Sequence, residues 1–329
     1  MSLPETYKVR LPSPIPGGKP FFEEKPLTLP GENQVLVKVE FAPIHHSDIA
    51  ALQGHLNIPN QPLKPCGAEG SGIVVAVGIN LKVSHKIGDK VFIVGPGTYS
   101  QYITAKSEDV QTIPEGLSLE EAALHFLNPS TAYYMGTLAE GHKAAIHTVG
   151  ASPVGRMLIR YFKHLGIKLI NIVRKEQYVE ELKKEGADYV LNSEAPDFEE
   201  KLKEIAEREN ATISFDAISG EFTNKVLKAQ PPKSICYVYG LLTGYSVNSI
   251  SIMELFKGKV VAGFRIKNLA ELAQKEGELA KFCEGFHKLL TTVFSTKVQK
   301  IFSIDQLDEA LAFYNENSSM GKILLRPNN

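Results

Sequence analysis

Cysteine is scarce in this chain, and what there is stands apart. Cys66, Cys236 and Cys283 form no CxxC pair, so neither a zinc ribbon nor a dithiol redox centre is suggested. Free thiols suit a reducing compartment and read as small, buried apolar residues. Charge of one sign is lacking too: 36 Lys and Arg face 37 Asp and Glu, for a net charge of −1. Gripping a phosphate backbone takes many cations, so nucleic acid is not expected as a partner. No apolar run is long enough to span a bilayer. The opening MSLPETYKVRLPSPIPGG lacks the apolar core of a signal peptide; cytoplasmic residence is expected, or mitochondrial if a transit peptide has been removed. Repeats and low-complexity tracts are missing as well. What remains is a globular composition, 43% apolar and 22% charged, over 329 residues, which is length for two domains.

The chain changes character along its length. From Val35 to about Ile113 short β-branched runs (QVLVKVEFA, GSGIVVAVG, GDKVFIVG, YSQYITA) alternate with glycine and proline, which predicts an irregular antiparallel barrel. From Ala144 to about Phe264 strand and helix patterns alternate. AAIHTV precedes a helix from about Pro153, KLINIVR precedes EQYVEELKKEG, ADYVLN precedes DFEEKLKEIAEREN, and TISFDAI precedes EFTNKVLKAQ before SICYVYG. That alternation specifies a doubly wound parallel sheet. Between the two, Ser118 with Glu121 forms a capping box, and Pro129 starts or breaks a second helix. After Phe264 come an amphipathic stretch, LAELAQKEGELAKFCEGFHKLL, and then strand, helix and strand. This tail does not extend the alternation and is expected to return to the first domain. The expected division is a barrel domain of residues 1–122 and 266–329 and a doubly wound domain of residues 123–265.

The stretch HTVGASPVGRML is the candidate cradle for a dinucleotide. A pyrophosphate rests where a strand turns sharply into a helix, against amides at the helix N-terminus. Gly150 permits the tight approach, and Gly155 lets the helix pack on the sheet. Ser152 holds the middle glycine's place with a hydroxyl able to donate to phosphate. Pro153 suits the first helical position, where its missing N–H has no partner in any case. Gly150, Ala151, Ser152, Pro153, Val154 and Gly155 are therefore the candidate cofactor residues of the turn. A glycine bend that binds nothing is the alternative. At the end of the next strand, NIVRKEQ supplies Arg174 and Lys175 where a site for unphosphorylated ribose wants a carboxylate. A guanidinium pairs with a 2′-phosphate in a bidentate fork, which favours NADPH over NADH. A solvated basic pair at a strand end, with Glu176 following, is the bland alternative.

These blocks together resemble the medium-chain dehydrogenase/reductase superfamily. The likeness is to its zinc-free branch of quinone oxidoreductases and enoyl thioester reductases. The carriers are VLVKVEFAPIHHSDIAALQG, PCGAEGSGIVVAVG, KIGDKVF, NPSTAYYMG, VGASPVGRMLIRYFKHLG, INIVRKEQ, GADYVLNS and the closing GKILL, from about Val35 to Leu325. The resemblance implies a GroES-like barrel beside a Rossmann domain. Zinc members of the superfamily hold their catalytic metal with a Cys before HSD and the His of GHE. Here those positions are His45 and Ala68, and the four-cysteine lobe of a structural zinc is absent, so no metal is expected.

Without a Lewis acid, the implied reaction is NADPH-dependent hydride transfer to a quinone or an α,β-unsaturated carbonyl (enone or enoyl) substrate. It requires hydrogen-bond donors for the oxygen that gains charge, and a proton source. The resemblance places His45 at an Asn near the nicotinamide and substrate, where it would donate a hydrogen bond or a proton. Ser47 becomes a substrate-side hydroxyl, and the two are the catalytic candidates. Asp48 reads as a turn or helix cap. Thr131 matches a threonine that lies against the nicotinamide, with Tyr133 and Tyr134 as core aromatics. The resemblance also implies that Tyr239 and Gly240 bring backbone near the nicotinamide ribose, and Phe264 matches a phenylalanine near the family's cleft. One departure stands out: the tyrosine that enoyl thioester reductases carry shortly after QG is Leu56 here, which moves the expectation toward the quinone or enone. A catalytically weak or inactive NADPH-binding homologue, serving as a structural or regulatory subunit of a larger assembly, is the alternative. A homodimer, through an edge strand supplied by SVNSISIMELFKGKVVAGF, is the protein partner the family suggests.

Overall fold

A computed structural model describes residues 3–113, 115–244, 246–247, 250–266, 286 and 288–328. The chain divides into two compact units, Met1–Leu127 with Thr296–Asn329, and Asn128–Ser295.

In the first unit, β3 (Gln34–Pro43) is the spine. Its alternating burial puts Val35, Val37 and Val39 into one core with Val74, Val91, Ile93 and Val110. It pairs antiparallel with β4 (Glu69–Val77) and β6 (Tyr102–Lys106). Beyond β4 follow β5 (Lys90–Val94) and β7 (Val110–Thr112). The tail does return here: β15 (Lys322–Arg326) lies antiparallel to β3 and parallel to β14 (Val298–Ser303), with α9 (Leu307–Asn317) between them in sequence. The stretch with the candidates His45, Ser47 and Asp48 opens a short helix, α1 (His46–Leu52). The capping box at Ser118 and Glu121 opens α2 (Leu119–Ala122) as expected. An antiparallel hairpin, β1 (Thr6–Leu11) and β2 (Phe21–Pro26), had no clear sequence signal. Its second strand is polar and half exposed, and prolines crowd its turn.

Among the described residues, the second unit carries six parallel strands in the order β10-β9-β8-β11-β12-β13. They are β8 (Ala144–His147), β9 (Lys168–Val173), β10 (Tyr189–Asn192), β11 (Ile213–Asp216), β12 (Ile235–Val238) and β13 (Val260–Gly263). This is the doubly wound order, which reverses between β8 and β11. Strand residues alternate between two cores. Ala145, Leu169, Ile213 and Phe215 face α3 (Leu127–Ala139) and α4 (Pro153–Leu165). Ala144, Ile146, Ile170 and Ile172 face α6 (Phe198–Arg208) and α7 (Glu221–Ala229). Helix α5 (Gln177–Lys184) precedes β10, and α8 (Ile252–Phe256) precedes β13.

Both boundaries differ from expectation: the first unit runs to Leu127, where 122 was expected, and the second runs to Ser295, where 265 was expected. Residues 266–295 were assigned to the barrel, but Phe286, Leu290 and Phe294 are buried in the core of the second unit. Phe294 meets Tyr161 edge-on at 5.1 Å, and Arg160 donates to the carbonyls of Val293 and Ser295. Phe286, Leu290 and Phe294 are covered by the aromatic side of α3 and α4, a match that periodicity alone cannot choose. Most of the expected amphipathic stretch, and Cys283 with it, lies outside the described residues. Cys66 and Cys236 are buried, and burial pushes both thiols up to about 12.

Candidate functional site

The turn after β8 is built by close approach. Gly150 donates its amide to Ile172 O at 2.9 Å and lies on Asn171, where an added Cβ would come within 2.8 Å of the Asn171 Cβ. A Cβ on Gly155 would collide with the Gly150 carbonyl. Both glycines are thus demanded by packing. Ser152 is the N-cap of α4: its hydroxyl oxygen accepts from Gly155 N at 3.0 Å. Pro153 occupies the first turn, and Gly166 ends the helix in a left-handed conformation at φ 71°. Capping leaves the Ser152 hydroxyl hydrogen available to an anion. Among the described residues, the Ala151 and Val154 amides have no acceptor, so donors remain at the mouth of the helix.

The neighbouring strand β9 delivers the basic pair. Arg174 and Lys175 follow directly on β9, both exposed, and neither side chain has a hydrogen-bond or ion-pair partner among the described residues, while the Lys175 carbonyl accepts from Tyr178 N. Glu176, whose carboxylate could have neutralised them, is held by Asn192 Nδ2 at 2.8 Å. Because the Gly150 amide is bonded to Ile172 O, the anion-facing turn and the free cations are tied to one strand end. These residues fit a phosphorylated dinucleotide.

At the far side of the strand-order reversal, Asp216 ends β11 fully buried. Its carboxylate accepts from Thr148 Oγ1, Thr223 Oγ1 and the amides of Ile218 and Ser219. This hub shapes the loops beside the turn, and the motif reading passed over it because a lone Asp after a strand carries no signature. Tyr239 donates its amide to Asp216 O, and its hydroxyl lies 2.7 Å from His147 Nε2. His147 is fully buried, with no protein partner at Nδ1 among the described residues, and burial lowers it to about 3. Gly240 approaches Ala217 so closely that a Cβ would sit 2.6 Å from its carbonyl oxygen. Thr131 is 9% exposed in α3. Tyr133 and Tyr134 are core aromatics as expected, and Phe264 packs on Tyr134 and Tyr239 inside the second unit.

In the first unit the catalytic candidates separate. Ser47 is exposed in the first turn of α1, and its hydroxyl has no partner among the described residues. His45, just ahead of the helix, is only 5% exposed, with both ring nitrogens engaged. Nε2 lies 2.8 Å from Glu69 Oε1 and Nδ1 lies 3.0 Å from Lys322 Nζ. A ring so held has no nitrogen left to donate to substrate, in contrast to the expectation for His45. Glu69 Oε2 also accepts from the amides of Phe126 and Leu127, at 3.1 and 2.7 Å. Asp48 is a cap as expected: its Oδ2 accepts from His45 N and from the Tyr99 hydroxyl. Sequence reasoning gave no part in this arrangement to Lys322, which sits in the quoted GKILL, or to Glu69 in PCGAEG. Leu56 is 53% exposed. Among the described residues no group of three or more His, Cys, Asp or Glu is arranged to hold a metal.

Residues 31–115 match the alcohol dehydrogenase GroES-like domain, and residues 153–281 match the zinc-binding dehydrogenase family. With the sheet order and the glycine turn, this defines a two-domain dehydrogenase of GroES-like and Rossmann parts. The chain belongs to the medium-chain dehydrogenase/reductase superfamily, in the branch of quinone oxidoreductases and enoyl reductases. It is 25% identical over 321 residues to the human synaptic vesicle membrane protein VAT-1 homolog, covering 91% of this chain and 80% of that protein. It is 38% identical over 177 residues, half of each chain, to a mitochondrial enoyl-[acyl-carrier-protein] reductase from Caenorhabditis elegans. Among solved structures, a protein provisionally assigned as an NADPH:quinone reductase from Mesorhizobium loti superposes with a TM-score of 0.86 at 26% identity, covering 99% of this chain and 100% of that one. The Escherichia coli quinone oxidoreductase complexed with NADPH shares the fold at a TM-score of 0.84 and 23% identity, covering 97% and 100%.

Proposed function

We propose that this chain is an NADPH-dependent, zinc-independent reductase of quinones or α,β-unsaturated carbonyl compounds. The observation that carries the reading is the exposed, unpartnered pair Arg174 and Lys175 at the end of β9, fixed next to a helix mouth with free amides. A cation pair there favours the 2′-phosphate, and the amides of Ala151 and Val154 with the Ser152 hydroxyl face the pyrophosphate. Thr131, Tyr239 and Gly240 border the nicotinamide end in this reading. Bound NADPH supplies the hydride. Ser47 contributes a substrate-side hydroxyl, and His45 acts by holding α1 and not by direct proton donation. The names of the quinone and enoyl reductase relatives support the acceptor class, and Leu56 in the tyrosine's place favours the quinone or enone.

Fluorescence titration tests the cofactor, with tight NADPH and weak NADH binding expected; no NADPH binding at millimolar concentration overturns the reading. A panel of quinones and enones then tests turnover. A second reading is an NADPH-binding structural or regulatory subunit, favoured by the engaged nitrogens of His45. Tight binding without turnover of any acceptor would select it. The proposal extends to a homodimer. β13 is the end strand of its sheet, its Val260 is 49% exposed, and Ile252, Met253 and Phe256 of α8 are exposed beside it in sequence. Light scattering giving a monomer mass would reject the dimer.

A further inference from the structure

The line Glu69–His45–Lys322 joins three side chains from separate parts of the first unit: β4, the residue ahead of α1, and β15. Exposures of 2, 5 and 4% remove all three from water. Buried charges persist only where partners satisfy them, so the arrangement constrains its members. A charged lysine can only donate. His45 Nδ1, 3.0 Å from Lys322 Nζ, must therefore be a bare acceptor, which puts the ring hydrogen on Nε2, where it donates to Glu69. Lys322 also donates to Ile44 O at 2.8 Å, while Ile44 N donates to Ile323 O. Strand β15 thus grips the two residues that precede α1, and Asp48 closes the first turn by accepting from His45 N.

We propose that Lys322 and Glu69 are positioning residues that hold the His45 ring, and with it the first turn of α1 bearing Ser47, in a single arrangement that requires the Lys322 proton. Around that proton, the charged groups facing Lys322 are Glu69 and Asp48. Asp48 in turn faces His45, Tyr99, Cys66 and Tyr314, and Arg10 stands near Cys66. Burial lowers Lys322 to about 8 against the pull of the two carboxylates. Its neutral amine can accept as well as donate, so the His45 tautomer is no longer dictated and the buried carboxylates lose their cation. The reductase reading is needed for the activity arm of the test and not for the spectroscopic arm.

Nitrogen NMR of the full chain labelled at histidine, from about pH 6.5 to about 9.5, reads the tautomer directly. We expect His45 to show a bare, hydrogen-bonded Nδ1 and a protonated Nε2 at the lower end, changing with a midpoint near 8, the value burial gives Lys322. In Lys322→Met that transition is lost. In turnover, kcat/KM of the wild type falls about tenfold per pH unit on the alkaline side, and Lys322→Met is less active with that limb flattened. An unchanging His45 signal in the wild type overturns the proposal without any variant. An alkaline limb that persists in Lys322→Met overturns it too. If the wild type turns over no acceptor while the His45 signal changes as described, the reductase reading fails and the inference stands.

Discussion

The two units bury their acids in opposite ways. In the second, Asp216 is surrounded by two hydroxyls and two amides, neutral donors fixed by the turn after β8, the loop that follows β11 and helix α7. In the first, Glu69 and Asp48 share their surroundings with an imidazole and an ammonium, so protons as well as hydrogen bonds are in play. A carboxylate satisfied by neutral donors holds loops in place; one linked to titratable partners ties loop position to pH. On the proposed reading, the difference suits a nucleotide cradle that must be ready-made and a substrate side whose geometry is set by a proton.

The contrast breaks most visibly at Lys322. Lys322→Met should destabilise the chain by about 4 kcal/mol in denaturant unfolding, because it leaves Ile44 O and His45 Nδ1 buried without the donor that Lys322 supplies in either protonation state. A loss under 1 kcal/mol would show that these two acceptors do not depend on Lys322. The wild type should also gain stability as pH rises from about 8 toward the 10.5 of a free lysine. There the unfolded chain still binds the proton that the folded chain has released. The second unit has its own sensitivity, on the acid side. His147, lowered to about 3 from 6.5, stays neutral in the fold while the unfolded chain takes up a proton. Stability should therefore fall by at most about 1.4 kcal/mol per pH unit across that window. His147→Gln should flatten this part of the profile; an unchanged slope would reject His147 as its source. Arg174→Ala should weaken NADPH by about thirtyfold, about 2 kcal/mol, and leave NADH nearly unaffected in calorimetric titration. Equal losses would remove the 2′-phosphate from the argument. The smallest effect is expected at Ser152: alanine should cost about 1 kcal/mol through the lost cap, and glycine only a few tenths.

Architecture was the most legible part of the sequence, because strand alternation and turn residues act locally. The βαβ turn could be read down to Pro153 in the first helical turn and the close packing at Gly150 and Gly155, since each has a local steric reason to be there, whereas the N-cap role of Ser152 was not read. Asp48 was legible as a cap for the same reason. The Glu69–His45–Lys322 line was not, because its members are 24 and 277 residues apart and meet only through sheet pairing. His45 drew attention as a loop histidine, yet its environment is written by β4 and β15. Phe286, Leu290 and Phe294 show the same limit in the core: an apolar face advertises burial without naming the surface that covers it.

The buried thiols carry a chemical consequence for a protein proposed to handle quinones and enones. Such compounds alkylate exposed thiolates by conjugate addition, so a catalyst working among them risks modifying itself. Cys66 and Cys236 are shielded from solvent and stay protonated until about pH 12, which removes the nucleophile at both positions. Mass spectrometry after incubation with benzoquinone should find these two residues unmodified in the folded protein and labelled once it is denatured.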